Sequence, residues 1–169
     1  MTTIEGRAEI NLRPFTNADI GALGRLFGTA RASMQLFDDP HTTGEHTAYI
    51  AGLSAGCAIT VAESDGHLAG FLSFTRRPGA AMGEITHLFV HPDHQRQGVG
   101  AMLLDHAINR YGPPLHLWVF EANTRARALY ESRGFVMTDR TDGSGNDEKL
   151  PDMRYDLLAG GNDTEVTRT

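Results

Sequence analysis

The 169-residue sequence predicts a mixed α/β (α+β) domain built around one central sheet. Apolar runs of strand length dominate its middle, and the dipeptide Asp65-Gly66 between two of them is a strong hairpin signal. Two strand-then-helix units follow, at 83–110 and 115–134. Because a strand–helix–strand connection joins parallel strands, we expect the fourth and fifth strands to be parallel and the earlier ones antiparallel.

The first half of the chain contains five predicted elements. Thr16 is a suitable N-cap for the first helix, with Asp19 three residues later. Leu23 and Phe27 follow at helical spacing, and a threonine at 42–43 opens the second helix. In chain order the elements are a strand at 8–15, helices at 16–30 and 41–53, and strands at 57–64 and 68–76.

The second half contains six predicted elements and one turn-rich loop. Pro92 ends the fourth strand, and Gly134 is a typical C-terminal cap for the last helix. In chain order the elements are a strand at 83–92, a helix at 97–110, a strand at 115–120, a helix at 123–134, and strands at 135–140 and 152–158, with the loop at 142–147. The buried face of the third helix is predicted to be formed by Val99, Met102, Leu103 and Ala107.

Composition and length limit the class of protein. Residues 1–158 are predicted to form a single domain, and 159–169 a flexible C-terminal tail. The formal net charge of −6 argues against a nucleic-acid-binding face. The chain has no run of about 18 apolar residues, and its charged start lacks the apolar segment of a signal peptide. With Cys57 as its single cysteine, it is expected to be cytoplasmic and to bind no membrane.

A glycine-spaced turn at 95–100 precedes the third helix and suggests an anion site. A Walker loop requires Lys and then Ser or Thr after its second glycine, where Ala101 and Met102 stand. A dinucleotide-binding loop requires a third glycine, where Leu103 stands. The remaining pattern, Gln-x-x-Gly-x-Gly, can direct backbone N–H groups at a pyrophosphate without a metal.

Two motifs in order resemble the GNAT superfamily of N-acetyltransferases, which use acetyl-CoA. The turn at 95–100 follows "HLFVHP", and "NTRARALYESRGF" follows the next strand, about 22 residues later. The resemblance covers residues 8–158. It implies the GNAT fold, with a mixed, mostly antiparallel sheet of about six or seven strands splayed between strands 4 and 5, and about four flanking helices.

The resemblance also implies which residues contact the cofactor. The backbone of the fourth strand would pair with the pantetheine arm as though the cofactor were an added strand, and a nearby bulge would splay the sheet. Asn123 would hydrogen-bond the pantetheine arm, although it is also a good helix N-cap. The pairing positions are Leu88, Phe89 and Val90, and the pyrophosphate loop consists of Gln95, Arg96, Gln97, Gly98, Val99 and Gly100.

The chemistry of acetyl transfer indicates candidate catalytic residues. An amine attacks the thioester carbonyl, and a fourth-strand amide such as that of Phe89 or Val90 would stabilise the oxyanion. The resemblance implies that Tyr130 points its hydroxyl at the CoA sulfur, where it would protonate the thiolate; the alternative is a buried aromatic on an apolar helical face. An alkylammonium, with a pKa of about 10.4, must first lose a proton. Glu84, fourteen residues before Gly98 as in lysine-acetylating members, is the preferred base, and His87 is the second candidate.

The sequence therefore predicts transfer of an acetyl group from acetyl-CoA to a primary amine in a ternary complex, with a small-molecule acceptor. Two alternatives stay open: a protein N-terminal or lysine acetyltransferase, and a non-catalytic acyl-CoA sensor. A homodimer is possible, as often in the family. His91, Asp93 and His94 suggest a metal site, but no further ligand is near in sequence, so no metal is expected.

Overall fold

The computed structural model describes residues 8–160. Residues 1–7 and 161–169 lie outside the described part, so the predicted flexible tail at 159–169 falls almost entirely beyond it. None of the helices between residues 8 and 160 has the length and hydropathy that a membrane crossing requires.

One seven-stranded sheet organises the domain, in the order β1-β2-β3-β4-β5-β7-β6. Among the strands of residues 8–160, only β4 and β5 are parallel neighbours, and the other pairs are antiparallel. The strands are β1 Ile10–Pro14, β2 Ala58–Ser64, β3 His67–Thr75, β4 Gly83–Val90, β5 Leu115–Phe120, β6 Val136–Thr141 and β7 Asp152–Leu157. The helices are α1 Ile20–Ser33, α2 Thr43–Gly56, α3 Val99–Tyr111 and α4 Thr124–Ser132. The predicted fold class is confirmed.

Local sequence signals fix several of these boundaries. Asp65 and Gly66 have φ values of 50° and 77°, so both occupy the left-handed region that a two-residue type I′ hairpin requires. Thr42 caps α2, since its hydroxyl accepts from the amide of Glu45 and the Glu45 carboxylate accepts from the amide of Thr42. The predicted hairpin and helix start are therefore confirmed.

The sheet opens between β4 and β5. The two strands pair only at Gly83 with Leu115 and at Glu84 with His116. The register of β4 against β3 shifts just beyond this point, so that Thr86 is an extra residue of β4 and forms a bulge. The predicted splay is present, because β4 bends away from β5 after its second residue.

The helices cover the sheet from both sides. Helices α1 and α2 pack on one face, in a cluster that includes Leu23, Phe27 and Phe71. Helix α3 packs on the other face through Leu103 and Leu104. Complete burial of such side chains contributes about 1.5–3 kcal/mol each, so both layers hold the opened sheet in shape.

The third helix differs from its prediction in two respects. It begins at Val99 rather than at residue 97, because Gly98 adopts a left-handed conformation with φ of 81° and ends the preceding turn. Met102 was wrongly expected inside, and it is 37% exposed. The buried stripe contains Leu104 in its place, since Leu104 lies one turn before Ala107 on the buried side of the helix.

Candidate active site

A cleft of about 770 Å³ occupies the gap between β4 and β5. Its walls come from β4, the turn before α3, the start of α3, β5, α4 and the end of α1. Of the predicted site residues, the wall contains His87, Leu88, Phe89, Val90, Gln95, Arg96, Gly98, Val99, Gly100, Asn123 and Tyr130. Gln97 and Glu84 are outside the wall that residues 8–160 form. The fold thus places predicted site residues that are up to 43 positions apart in the sequence, from His87 to Tyr130, in the wall of one cavity.

The turn before α3 is shaped to expose backbone amides. Arg96 and Gly98 have φ values of 64° and 81°, and alternating left-handed residues direct successive N–H groups to one side. A Cβ on Gly100 would lie 3.6 Å from Leu129 Cδ2 and Val90 Cγ2, which is ordinary van der Waals contact. Protein packing alone therefore does not demand glycine at position 100, and the space above the helix start is open to an anion.

Arg125 is a member of this end of the cleft that the sequence analysis missed. Its guanidinium donates to Oε1 of Gln95 at 3.1 Å, joining α4 to the turn. Its position in the second motif could have indicated this role, because a basic residue is favourable beside a loop that binds a pyrophosphate. The contact adds positive charge where an anion would bind.

Asn123 and Tyr130 both face the cleft from α4. Asn123 Oδ1 accepts from the amide of Ala126 at 3.2 Å, so its alternative interpretation as an N-cap is confirmed, while its contact with a ligand stays a prediction. Tyr130 is 6% exposed, and burial raises the pKa of its hydroxyl. Its phenol is therefore protonated at neutral pH and can donate a hydrogen bond or a proton.

His87 lies at the bulge of β4, within a network of hydroxyl groups. Its Nδ1 lies 3.0 Å from Ser73 Oγ and 3.0 Å from Thr86 Oγ1. Its Nε2 lies 2.8 Å from the hydroxyl of Tyr49 on α2. Burial, aided by the charge of Arg31, lowers the pKa of His87 to about 4. The imidazole is therefore neutral at pH 7, with both ring nitrogens engaged.

Glu84 occupies a different environment. It lies on the two-residue segment where β4 still pairs with β5, and its Oε2 is 3.9 Å from Nε2 of His116. Its side chain is 33% exposed. The preferred and the second candidate bases are thus separated by the bulge, and only His87 faces the cleft.

Similarity to known proteins identifies the family of this chain. The profile of the Acetyltransferase (GNAT) family matches residues 30–135. The chain belongs to the GNAT acetyltransferase family. It is 35% identical over 98 residues to an uncharacterized N-acetyltransferase of Archaeoglobus fulgidus, covering 53% of the chain and 66% of that protein. It is 42% identical over 55 residues to the peptidyl-lysine N-acetyltransferase YjaB of Salmonella typhimurium, covering 32% of the chain and 37% of that protein.

Solved structures of GNAT proteins share the fold over most of their length. The ribosomal-protein-S18-alanine N-acetyltransferase of Escherichia coli superposes with a TM-score of 0.71 at 23% identity, covering 91% of this chain and 98% of that one. The yncA protein of Salmonella typhimurium, solved with its cofactor acetyl-CoA, gives 0.68 at 22% identity, covering 90% and 95%. The predicted GNAT family membership is confirmed. The chain spans two thirds or less of the two sequence relatives.

A second cavity of this GNAT domain, of about 740 Å³, adjoins the cleft. It is formed by α1, the loop before α2, α2 itself and the loop before β7. Four residues line both cavities: Arg31, His87, Asn146 and Glu148. The shared wall makes His87 a boundary between two spaces that two substrates could occupy.

Arg31 holds the elements around this boundary together. Its side chain is 14% exposed and pairs with Asp39 at 2.8 Å and with Glu148 at 3.1 Å. Burial tends to raise the pKa of Asp39, but hydrogen bonds from Arg31, the His41 amide and His46 outweigh it and lower that pKa to about 2. The network thus links α1, the loop before α2, α2 and the loop before β7.

Metal ligands do not cluster in the described part of the GNAT domain. Among residues 8–160, no group of three or more His, Cys, Asp or Glu side chains is arranged to hold a metal ion. His91 instead accepts from the amide of Asp93 at 3.1 Å and so caps a short 3-10 turn at Pro92–His94. The expectation of a metal-free reaction stays a prediction.

Proposed function

We propose that this chain is an N-acetyltransferase that transfers an acetyl group from acetyl-CoA to a primary amine by direct attack within a ternary complex. The observation that carries the proposal is the split between β4 and β5, with the amide-rich turn at one end and Tyr130 in its wall. Family membership supports acetyl-CoA as the donor.

The parts of acetyl-CoA can be assigned to the cleft in order. Its pyrophosphate is assigned to the turn at 95–100, where exposed amides, a helix start and Arg125 provide positive potential. Its pantetheine arm is assigned to the backbone of β4 at 88–90, which has no strand neighbour on the cleft side among the described residues. The side-chain amide of Asn123, which also lines this cleft, is assigned to hydrogen-bond the pantetheine arm.

The reaction requires three changes of charge. As the amine forms a bond to the thioester carbon, negative charge develops on the carbonyl oxygen, and the amide of Phe89 or Val90 is the proposed donor to it. When the carbon–sulfur bond breaks, the thiolate takes the proton of Tyr130. The nitrogen loses a proton to a base, after which Tyr130 is protonated again from solvent.

We propose His87 rather than Glu84 as the base. His87 faces both cavities and Glu84 is outside the walls of both, as far as residues 8–160 define them. A general base must reach the amine directly or through one water, and this geometric requirement outweighs the sequence spacing that favoured Glu84.

The proposed acceptor is a small amine. The second cavity has a volume of about 740 Å³, a size typical of small-molecule sites. A protein acceptor is the alternative, and YjaB of Salmonella typhimurium, a peptidyl-lysine N-acetyltransferase by name, favours it. A non-catalytic sensor is the third possibility, and the presence of a buried tyrosine in the cleft argues against it.

Release of free CoA thiol tests the proposal. Purified protein is incubated with acetyl-CoA and a panel of small amines, and with lysine- or α-amine-bearing peptides in parallel. We expect thiol release with a small amine and an acetylated product of matching mass. Release with peptides alone would establish the protein acetyltransferase. Binding of acetyl-CoA without release in any mixture would establish the sensor.

A further inference from the structure

Tyr49 covers the nitrogen of His87 that faces the second cavity. Its hydroxyl lies 2.8 Å from His87 Nε2, and Tyr49 lines the second cavity but not the cleft. Tyr49 is 48% exposed and contributes to the wall of that cavity. His87 lines this cavity as well, and the Tyr49 hydroxyl already occupies the hydrogen-bonding position of Nε2.

Both side chains are held in one orientation. The Tyr49 ring stacks on Phe27 with centroids 5.3 Å apart and an interplanar angle of 9°. The two hydroxyls beside His87 Nδ1, those of Ser73 and Thr86, restrain the imidazole from its other side. In the tautomer with a proton on Nδ1, that proton is donated to one of these oxygens, and Nε2 is left to accept from Tyr49.

We propose that Tyr49 and His87 form a proton relay for the acceptor amine, with Tyr49 as the catalytic residue that touches the amine. The proposal rests on the proposed acetyltransferase function. The neutral amine forms the C–N bond, and its nitrogen, then cationic, passes one proton to Tyr49 Oη while the Tyr49 hydroxyl proton moves to His87 Nε2. The C–S bond breaks, Tyr130 protonates the thiolate, and His87 returns its proton to water through Tyr49.

The relay explains why the base is buried behind a second group. His87 lies at the boundary with the cleft, where the cofactor is proposed to lie. The Tyr49 hydroxyl extends its reach into the second cavity by the length of one hydrogen bond, so the two substrates can approach from opposite sides. Neither side chain has to move, and a preorganised path of this kind lowers the barrier.

Tyr49→Phe tests the relay without disturbing the stack on Phe27. The single-turnover rate at saturating acetyl-CoA and acceptor should fall on the order of 10²-fold, the lower range for general acid–base catalysis, with acetyl-CoA affinity unchanged. Tyr111→Phe is the matched control, since Tyr111 lies outside the walls of both cavities and, within residues 8–160, its hydroxyl makes no hydrogen bond. It should leave the rate unchanged.

A double-mutant cycle separates a shared path from two independent contacts. If the proton passes through both groups, the double variant Tyr49→Phe/His87→Gln should be no slower than the slower single variant. The relay would be overturned if the rate losses of the two single variants multiplied in the double variant. It would also be overturned if Tyr49→Phe left the rate unchanged or changed only the KM of the acceptor. A wild-type protein that releases no thiol with any amine would instead overturn the proposed function itself.

Discussion

His87 is expected to make the stability of the domain depend on pH in a defined window. Its pKa is about 4 in the folded protein against 6.5 for a free imidazole. Between these values the unfolded chain binds a proton that the folded chain does not, so acid favours unfolding. The stabilisation is complete above pH 6.5 and is lost as the pH falls towards 4. A shift of about 2.5 units at 1.36 kcal/mol per unit gives about 3 kcal/mol.

Urea unfolding followed by circular dichroism measures this term. Wild type and His87→Gln are compared at pH 7, 6, 5 and 4, because glutamine keeps polar contacts and does not titrate. The free energy of unfolding of the wild type should fall by about 3 kcal/mol more than that of the variant over this range. The lowered pKa of Asp39 contributes equally to both proteins, and mainly below pH 4.

The reasoning would be refuted if the free energies of unfolding of wild type and His87→Gln differed by the same amount at every pH from 7 to 4. His87 would then titrate in the folded state as it does in water, and its burial would not control its charge. The same pKa governs activity. If His87 accepts the proton, the acidic limb of the single-turnover rate should lie near pH 4, rather than at the 6 to 7 of an unperturbed histidine.

Three further predictions concern the proposed cofactor and catalytic residues. Gly100→Asp should weaken CoA binding, measured by calorimetry, by about 10²-fold, because one like charge about 5 Å from a phosphate costs about 3 kcal/mol at an effective dielectric of 20. Gly44→Asp, also at the second residue of a helix, is the control and should leave the affinity for CoA unchanged. An equal loss of affinity in both variants would contradict the assignment of the pyrophosphate to the turn before α3. Tyr130→Phe should lower thiol release about 10²-fold at nearly constant acetyl-CoA affinity, and the reverse pattern would make Tyr130 structural. Glu84→Gln should alter kcat/KM by less than about threefold, and a loss above tenfold would restore Glu84 as the base.

Much of the fold could be predicted because its signals are local. The hairpin depends on two residues that tolerate positive φ, Asp65 and Gly66, and the start of α2 depends on the capping box of Thr42 and Glu45. The turn before α3 was found in the same way, since its glycine spacing and the helix that follows lie within ten residues. Each of these features depends on residues that are close together in the sequence, and not on contacts with distant parts of the chain.

The proposed acceptor side of the site could not be predicted, because its contacts are not local. Tyr49 and His87 are 38 positions apart, and Arg31 and Glu148 are 117 apart. Strict alternation would also direct Thr86 and His87 to opposite faces, yet both contact Ser73 on one face. The bulge at Thr86 causes this, and hydrophobic periodicity gives no sign of where an extra residue falls.

The opened sheet leaves two strand edges inside the molecule. Within residues 8–160, β4 beyond Glu84 and β5 beyond His116 have no strand partner across the gap. An exposed edge normally invites pairing with another polypeptide and thus aggregation. Here both edges line a cleft of about 770 Å³ whose walls include α3 and α4, so they lie between helices and not along the rim of the sheet. The pantetheine arm proposed for this cleft bears amides, so the cofactor would use hydrogen-bonding groups that an edge strand otherwise offers to another polypeptide.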